Sequence, residues 1–367
     1  MTELTRTSAL ASRHTALGSG LEDWNGMGTA WSYNSDPNDE HDAVRESAGL
    51  FDMSPLKKVY IRGADAGKVA DHVITRNMAL VGPGQSAYGA VLTEQGTVCD
   101  DAILANNGDN EWLLCHGSGD SMQRITESAQ GLNVDIELDD DLHNISLQGP
   151  QALSLLNAHT SIELENLQYF HHQPAELFGH SCRLSRTGYS GERGYEILAS
   201  ASVVGDIWDN ILGHGKEGGI LPCSFTALDK VRIEAGLLFF GYDMTDEYTP
   251  WEVGLGFTMS RKKGEFRGKA KAFELESQAR FIAAGVAVNH GDALVGGEKL
   301  VLNGEEVGVL NSPAWSHRLN KSLALVHLKQ VAAASGTTLD VVSDDFNGTA
   351  VVEEVPFFDP SKTRVRS

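Results

Sequence analysis

The sequence has few cysteines and few positive charges for its length. The four cysteines, Cys99, Cys115, Cys182 and Cys223, lie far apart and form no C-x-x-C pair. We therefore expect neither a disulfide framework nor a cysteine-rich zinc site. Only 29 basic residues stand against 50 acidic ones, which gives a net charge of −21. A nucleic acid or an anionic membrane would be repelled by such a chain, and we expect neither as a partner.

Several targeting and binding signals are missing as well. No apolar run reaches the length of a transmembrane helix, and residues 1–13 are polar and unlike a signal peptide, so the sequence favours a cytoplasmic location. No G-x-G-x-x-G or G-K-[ST] loop is present, and nucleotide binding of those kinds has no support. The pair His171-His172 lies in a polar stretch without a carboxylate or cysteine at ligand spacing, so we predict no metal site.

What is present is a clear hairpin pattern over Tyr88–Ala105. Apolar residues alternate along its first strand, Glu94-Gln95-Gly96 supplies a turn, and a second apolar strand follows. Asp100 and Asp101 interrupt that second strand and must point to opposite faces, because side chains alternate along a strand. One of them can be solvated while the other enters the inner face to bind something. The commoner arrangement is a strand start with two solvated acids.

A second dense motif runs from Arg186 to Leu198. Three glycines in seven residues form a tight loop, which feeds an apolar strand that contains Glu196. A solvent-facing glutamate would be ordinary in such a strand, whereas a buried one would indicate a binding site.

The remaining pattern favours an α+β fold. Helices are predicted at Asp39–Ala48, Ala64–Ile74 and Ala227–Ala235, and antiparallel strands alternate with helices through the first half of the chain. Thr249–Phe257 is interpreted as an apolar strand in which the G-x-G spacing serves close packing. At 367 residues the chain is long enough for two or three domains.

Four motifs occur in order along the chain. They are Y-x-x-x-L-x-x-x-G-x-V-x-D-D from Tyr88, R-T-G-Y-S-G-E-x-G-Y-E-I from Arg186, R-I-E-A-G from Arg232 and T-P-W-E-V-G-L-G-F from Thr249. With His41–Ser54 upstream and Glu265–Lys269 downstream, this set resembles the T-protein family of the glycine cleavage system, the aminomethyltransferases. The resemblance spans nearly the whole chain.

The resemblance implies a particular architecture. Residues 1–279 would form a body of two α+β domains around a central folate channel, and residues 280–367 would form a C-terminal β-barrel domain. The turn signals Gly296-Gly297, Asn303-Gly304 and Asn347-Gly348 agree with short strands at that end.

The resemblance also implies tetrahydrofolate as the cofactor, with nothing needed beyond it. The family's essential acid falls on Asp101, a pterin-side tyrosine on Tyr88, a second ligand-lining tyrosine on Tyr189, and the acid that grips the aminopyrimidine edge of the pterin on Glu196. Asp101 would be the catalytic residue, orienting the acceptor amine and stabilising cationic character as the carbon moves. A carboxylate such as Glu196 can accept two donors from the pterin edge.

Some positions depart from the family pattern. Leu228 stands where the family has a folate-contacting arginine, and Arg232 is the next arginine along. Cys115 stands where the family has a pterin-contacting asparagine, and Ser54-Pro55-Leu56 replaces the usual Ser-His-Met. Cys115 and Arg232 remain candidate folate-binding residues, but the lost polar groups indicate a diverged pocket.

We favour a tetrahydrofolate-dependent demethylase or methyltransferase. It would move a methyl group from a small methylated N-, S- or O-compound to tetrahydrofolate. Trp24, Trp31 and Tyr33, aromatic residues in a loop-like segment, would then be candidates to surround a cationic methylated head group. Such residues also commonly do no more than pin a segment down.

Two alternatives stay open. The first is the orthodox aminomethyltransferase, which takes its aminomethyl group from lipoylated H-protein; Arg261-Lys262-Lys263 could attract that acidic partner, or could be a solvated turn. The second is a non-catalytic folate-binding module, like the family's iron–sulfur assembly relatives. The retained Asp101 argues for chemistry and against that module.

Overall fold

The computed structural model describes residues 4–367 of the chain. The helices are α1 (Ala11–Ala16), α2 (Pro37–Glu46), α3 (Ala66–Val73), α4 (Ser121–Ser128), α5 (Ala152–Asn157), α6 (Ala201–Gly215), α7 (Phe225–Glu234), α8 (Lys269–Leu275) and α9 (Thr363–Arg366). The strands are β1 (Glu22–Trp24), β2 (Met27–Thr29), β3 (Gly49–Asp52), β4 (Lys57–Arg62), β5 (Gln85–Leu92), β6 (Val98–Gly108), β7 (Glu111–His116), β8 (Asp135–Leu138), β9 (Leu142–Gln148), β10 (His172–Leu177), β11 (His180–Ser185), β12 (Gly194–Ser200), β13 (Leu221–Pro222), β14 (Ile282–Val288), β15 (Lys299–Leu302), β16 (Glu305–Ser316), β17 (Lys321–Leu328), β18 (Thr338–Val342) and β19 (Asn347–Glu353).

The predicted helices form where expected, and local capping sets their ends. Helix α2 begins two residues before its predicted start, because the Asp36 side chain accepts a hydrogen bond from the Asn38 amide and Pro37 fits the first helical position. Helix α7 begins after Ser224, whose hydroxyl accepts from the Ala227 amide. Among the described helices, none combines the length and apolar character needed to cross a bilayer.

The prediction of a strand over Thr249–Phe257 was wrong. This segment forms turns and ends in a short 3-10 helix, Gly256–Thr258. Pro250 has no amide hydrogen to give a sheet, and Gly254 adopts a φ of +75°, which reverses the chain. The apolar residues are still buried, with Val253 and Leu255 in a core cluster.

The first sheet is antiparallel, in the order β5-β6-β7-β4-β8. Helices α3 and α4 cover one face, where apolar side chains form a core that includes Val59, Val69, Leu104 and Ile125. The predicted hairpin is the pair β5–β6, joined by the turn at Gly96. All five strands lie within residues 57–138.

The second sheet has the order β10-β11-β12-β9-β3-β13, antiparallel except for the parallel pair β13–β3. Helices α5 and α6 cover one face, and the core there includes Leu50, Ile145, Ile197 and Trp208. Each sheet therefore has a helical layer outside, and its other face is turned towards a cavity between the two sheets.

The C-terminal part is a closed antiparallel barrel, in the order β14-β17-β16-β15-β18-β19. Its interior is filled by residues such as Val286, Leu300, Val326 and Val341. The predicted α+β body with a C-terminal β-barrel is thus confirmed. The barrel's first strand begins at Ile282, and a domain boundary after residue 279 stays a prediction.

Candidate functional site

A cavity of about 820 Å³ lies between the two sheets. Strands β5, β6 and β7 form one wall, and strands β9, β11 and β12 form the opposite wall. Residues 235–257 and parts of the barrel enclose it further, and Lys362 and Arg366 near the end of the chain also line it. This volume is in the range of small-molecule and cofactor sites.

Tyr88, Asp101 and Cys115 come together on the first wall because of strand register. Tyr88 pairs with Ile103, and Ile103 pairs with Cys115 on the next strand. Residues paired across antiparallel strands share a face, and Asp101 lies two positions before Ile103 on that same face. The three side chains therefore line the cavity side by side.

The Asp101 carboxyl group titrates near neutral pH. Burial, the largest cause, and the negative charge of Asp100 raise the pKa of Asp101 to about 7, although a hydrogen bond from Tyr88 acts in the opposite direction. Burial likewise raises the pKa of the Tyr88 hydroxyl well above its usual value, so Tyr88 stays a neutral donor. Asp101 can therefore donate or accept a proton at physiological pH.

Asp100 occupies the opposite face of β6, as alternation predicts. Its carboxylate is fully buried and accepts hydrogen bonds from the Ser121 hydroxyl at 2.6 Å and from His116 Nδ1 at 2.8 Å. The alternative of two solvated acids at a strand start was therefore wrong. One acid is buried in a polar network, and the other faces the cavity.

Glu196 faces the cavity from the second wall. Asn144 Nδ2 donates to Glu196 Oε1 at 2.8 Å, and the Thr187 hydroxyl donates to Glu196 Oε2. A carboxylate oxygen has more than one lone pair, so both oxygens can still accept from a ligand. Asn144 is itself buried, and its Oδ1 has no hydrogen-bond partner among the described residues.

The glycine loop before Glu196 is shaped by a close approach to Gln148. A Cβ atom at Gly188 or at Gly194 would collide with the Gln148 side-chain amide. This packing brings Tyr189 to the cavity wall, where its hydroxyl donates to the Leu238 carbonyl at 2.5 Å. One packing arrangement thus explains the glycine loop and the positions of the two predicted residues of this motif, Tyr189 and Glu196.

Of the three N-terminal aromatic residues, only Trp24 lines the cavity. Its ring lies 5.0 Å from that of Phe225 and 5.8 Å from that of Phe239, and its buried Nε1 has no partner among the described residues. Trp31 packs on Phe225 and is absent from the cavity lining. Tyr33 lies in the core, where its hydroxyl and His14 Nδ1 are 2.9 Å apart.

The structure does not bring Arg232 to the cavity wall. Its guanidinium is buried and donates to Asp243 at 2.5 Å and to Asp229 at 2.7 Å, because the barrel and the segment after α7 close over it. Leu228 does line the cavity, as does Cys115. Burial raises the pKa of the Cys115 thiol to about 12, so it is a neutral group there.

Several lining residues were missed by sequence reasoning. Asn144 lies on strand β9, which no motif that we identified covers, whereas Thr187 lies inside the glycine motif and so had a positional signal. Arg183, Lys362 and Arg366 also line the cavity, but they belong to no motif that we identified.

One group of possible metal ligands lies outside this cavity. His41, Asp42 and His317 have ligand atoms within 4.8 Å of one another. The Asp42 carboxylate already accepts from His317 at 2.8 Å and from Arg318 at 2.6 Å. We therefore describe the group as an ion-pair network that joins α2 to the barrel.

The family model called GCVT N-terminal domain matches residues 10–263, and the model called Glycine cleavage T-protein C-terminal barrel domain matches residues 283–359. The fold resembles that of the glycine cleavage system aminomethyltransferase T from Bartonella henselae, with a TM-score of 0.89 over 97% of this chain and 98% of that one at 23% identity.

Two curated relatives are similar over nearly their whole lengths. The heme-dependent oxidative N-demethylase gamma subunit of Ectopseudomonas mendocina is 43% identical, covering 98% of this chain and 97% of that protein. An aminomethyltransferase of Streptomyces coelicolor is 30% identical, covering 98% of this chain and 99% of that protein.

Proposed function

The chain belongs to the glycine cleavage T-protein family and is a one-carbon transferase, and from that premise we propose that its acceptor is tetrahydrofolate and its donor an N-methyl amine. The methyl carbon would be released by oxidative demethylation. The observation that carries the proposal is the pair of facing acids, Asp101 and Glu196, on opposite walls of one cavity.

The residues present fit a pterin. The aminopyrimidine edge of a pterin offers N–H donors, and the second wall offers two neighbouring acceptors, the Glu196 carboxylate and the unpaired Oδ1 of Asn144. A buried acceptor without a partner carries a desolvation penalty that a ligand donor would relieve. Glu196, Asn144 and Thr187 would therefore hold the pterin, with Tyr189 beside it.

Bound tetrahydrofolate would supply two nucleophilic nitrogens, N5 and N10, to the incoming carbon. Asp101 would face those nitrogens from the first wall and exchange protons with the reacting groups. Because its pKa is near 7, the carboxyl group can give a proton to the departing amine or oxygen and take one from an acceptor nitrogen. Tyr88 would keep the carboxyl group oriented by its hydrogen bond.

The donor class rests on the more similar of the two relatives. That relative is the gamma subunit of an oxidative N-demethylase. Oxidation of an N-methyl group leaves its carbon at the oxidation level of formaldehyde, and such a carbon needs an acceptor. We propose that this chain is the acceptor subunit of a comparable assembly and works beside a separate oxidising subunit.

The orthodox aminomethyltransferase is the second candidate. Its support is the set of relatives named aminomethyltransferase at about 30% identity. Leu228 and Cys115 speak against it, because they remove polar groups where that reaction's family pattern has an arginine and an asparagine.

A product assay would separate these functions. The purified chain would be given tetrahydrofolate without oxygen and then either formaldehyde, a panel of methylated amines, or aminomethylated lipoyl H-protein, with the folate product identified by mass. We expect 5,10-methylenetetrahydrofolate from formaldehyde at a rate well above the solution reaction. Product from H-protein alone would instead support the aminomethyltransferase. 5-Methyltetrahydrofolate from a methylated amine alone would indicate direct methyl transfer.

A further inference from the structure

We infer that Asp100 and His116 are positioning residues that hold Asp101 in its proton-donating form from the opposite face of β6. This inference rests on the proposed role of Asp101 in one-carbon transfer. Neither Asp100 nor His116 has a role implied by the sequence motifs beyond that of a buried polar residue. Asp100 is not among the residues that line the cavity, and the His116 ring contacts Asp100 through Nδ1.

The Asp100 carboxylate is fixed by four hydrogen bonds. Oδ2 accepts from the Ser121 hydroxyl at 2.6 Å, from the Ser121 amide at 3.2 Å and from His116 Nδ1 at 2.8 Å. Oδ1 accepts from the backbone amide of Asp101 at 2.9 Å. The side chains of Asp100 and His116 are both fully buried. The carboxylate is thus rigid and tied directly to the backbone of the reacting acid.

His116 approaches Asp100 with a single N–H group. Its Nδ1–H donates to Asp100, while its Nε2 is buried and has no partner among the described residues. A second proton on Nε2 would create a buried N–H without an acceptor, which costs free energy. This cost works against the form of His116 that would neutralise the carboxylate, and the single hydrogen bond fixes the carboxylate in place.

The other charged groups around Asp100 also fail to neutralise it. Among residues 4–367, no lysine or arginine nitrogen lies within 4 Å of the Asp100 carboxylate. On helix α4, Arg124 pairs with Asp120 at 3.6 Å and with Glu127 at 3.1 Å. On β4, Lys58 donates to the Ser54 and Leu56 carbonyls instead.

The groups that face Asp101 itself are Tyr88 from β5 and Tyr189 from the glycine loop, and both are neutral phenols with a raised pKa. Arg76, Arg183, Lys362 and Arg366 also line the cavity, but no lysine or arginine nitrogen of residues 4–367 lies within 4 Å of the Asp101 carboxyl oxygens. Asp101 must therefore lose its proton next to a fixed negative charge without an ion-pair partner. Like charges held close together disfavour double ionisation. The proton stays on Asp101 until the pH approaches neutrality.

This arrangement gives a balanced proton cycle. One proton leaves Asp101 with the departing amine or water as the bond from that group to the carbon breaks. One proton returns to Asp101 from an acceptor nitrogen as that nitrogen forms its new bond to the carbon. No oxidant or reductant is consumed in this step, and the carboxylic acid is regenerated.

The first test is the pH profile of Asp100→Asn. Asparagine keeps the shape and can still accept from Ser121, but it removes the charge. The single-turnover rate of 5,10-methylenetetrahydrofolate formation would be measured against pH. The part of the pH–rate profile that reports the titration of Asp101 is called its limb. We expect this limb to move to lower pH by about one unit or more, because the Asp100 charge no longer repels the ionised form of Asp101. The matched control is Asp120→Asn, which removes an exposed acid nearby and should leave the limb in place.

A second measurement keeps the inference testable if Asp100→Asn does not fold. The carboxyl vibration of Asp101 would be titrated by infrared difference spectroscopy between the unchanged protein and Asp101→Asn, without folate. Titration near pH 7 is expected, and titration near pH 4 would overturn the inference. An unmoved limb in a folded Asp100→Asn variant would overturn it as well. Failure of the unchanged protein to bind or convert folate would instead count against the proposed function, because the infrared titration needs no folate.

Discussion

Asn144 and Glu196 sit on the neighbouring strands β9 and β12, with Asn144 Nδ2 donating to Glu196 Oε1 at 2.8 Å. This contact uses one of the two N–H donors of the amide and leaves its acceptor, Oδ1, buried and unpaired among the described residues. The two side chains together form an acceptor-rich edge at the cavity wall. An edge of this kind selects ligands that present N–H groups.

Replacing Glu196 with glutamine should therefore weaken folate binding. The new amide nitrogen would face ligand donors where an acceptor oxygen stood. We expect the Kd for tetrahydrofolate to rise by roughly 10- to 100-fold, the loss typical of one hydrogen bond to a charged group. Titration calorimetry would measure it. Glu176→Gln changes an exposed glutamate on β10 of the same sheet and is the control; equal affinity of the two variants would contradict the assignment.

Replacing Asp101 with asparagine should lower turnover strongly while the fold is kept. Asparagine cannot exchange a proton, and general acid–base catalysis is worth roughly 10²- to 10⁴-fold. The product assay would give the rate, and circular dichroism would check the fold. Activity within a few-fold of the unchanged protein would remove Asp101 from the mechanism.

At alkaline pH the Asp101→Asn variant should have a higher Tm than the unchanged protein. The pKa of Asp101 is raised to about 7 in the folded state, above its unfolded value. Its favourable contribution to stability is therefore fully present below about pH 4 and is lost progressively as the pH rises to about 7. At pH 8.5 we expect Asp101→Asn to raise the Tm by roughly 2 °C or more, and the gain should shrink steadily as the pH falls towards about 4. A Tm difference that does not depend on pH would refute this account.

Trp24 and Trp31 should respond differently to substitution. Trp24 lines the cavity, whereas Trp31 packs behind Phe225. We expect Trp24→Leu to raise the KM for a cationic donor by roughly five-fold, the size of a modest cation–π contact. Trp31→Leu should leave that KM unchanged. The opposite ranking would show that the aromatic wall does not contact the donor.

Arg232 should matter for stability far more than for folate binding. Its partner Asp243 is equally buried, and the two groups are 2.5 Å apart. Removing one partner of a buried pair costs about 3–5 kcal/mol, so Arg232→Gln should lower the free energy of unfolding by that amount. Arg13→Gln, which breaks the exposed pair with Asp209, should cost at most about 1 kcal/mol. Chemical denaturation of both variants would decide.

Some residues that the sequence motifs single out do line one cavity, and there is a physical reason for this. Tyr88, Asp101 and Glu196 lie within continuous motifs on strands of the two sheets, where the alternation of side chains fixes which face each one occupies. The aromatic residues of the N-terminal loop follow no such period, so nothing in the sequence separates Trp24 from Trp31. Arg232 was a candidate folate-binding residue in the sequence, because no local pattern shows that it pairs with Asp243 in a later segment.

Two other differences between the sequence-based prediction and the structure also arise from long-range contacts. The apolar run at Thr249–Phe257 satisfies burial equally well as a strand or as turns, and the positive φ of Gly254 decides for turns. Lys362 and Arg366 reach the cavity only because the end of the chain folds back across the second sheet, where Arg186 and Arg193 hold the Ser367 carbonyl. Such a return is invisible in local sequence.

Residues 57–138 form the whole first sheet, yet they interrupt the second sheet between β3 and β9. During synthesis the acid-bearing wall with Asp101 is therefore complete before the ribosome has made Glu196, and β3 must wait for partners that emerge much later. The two walls of the cavity are therefore formed by separate segments of the chain that are completed at different times during synthesis. A single recombination event that replaced residues 57–138 would exchange the proton-handling wall and leave the pterin-holding strand untouched.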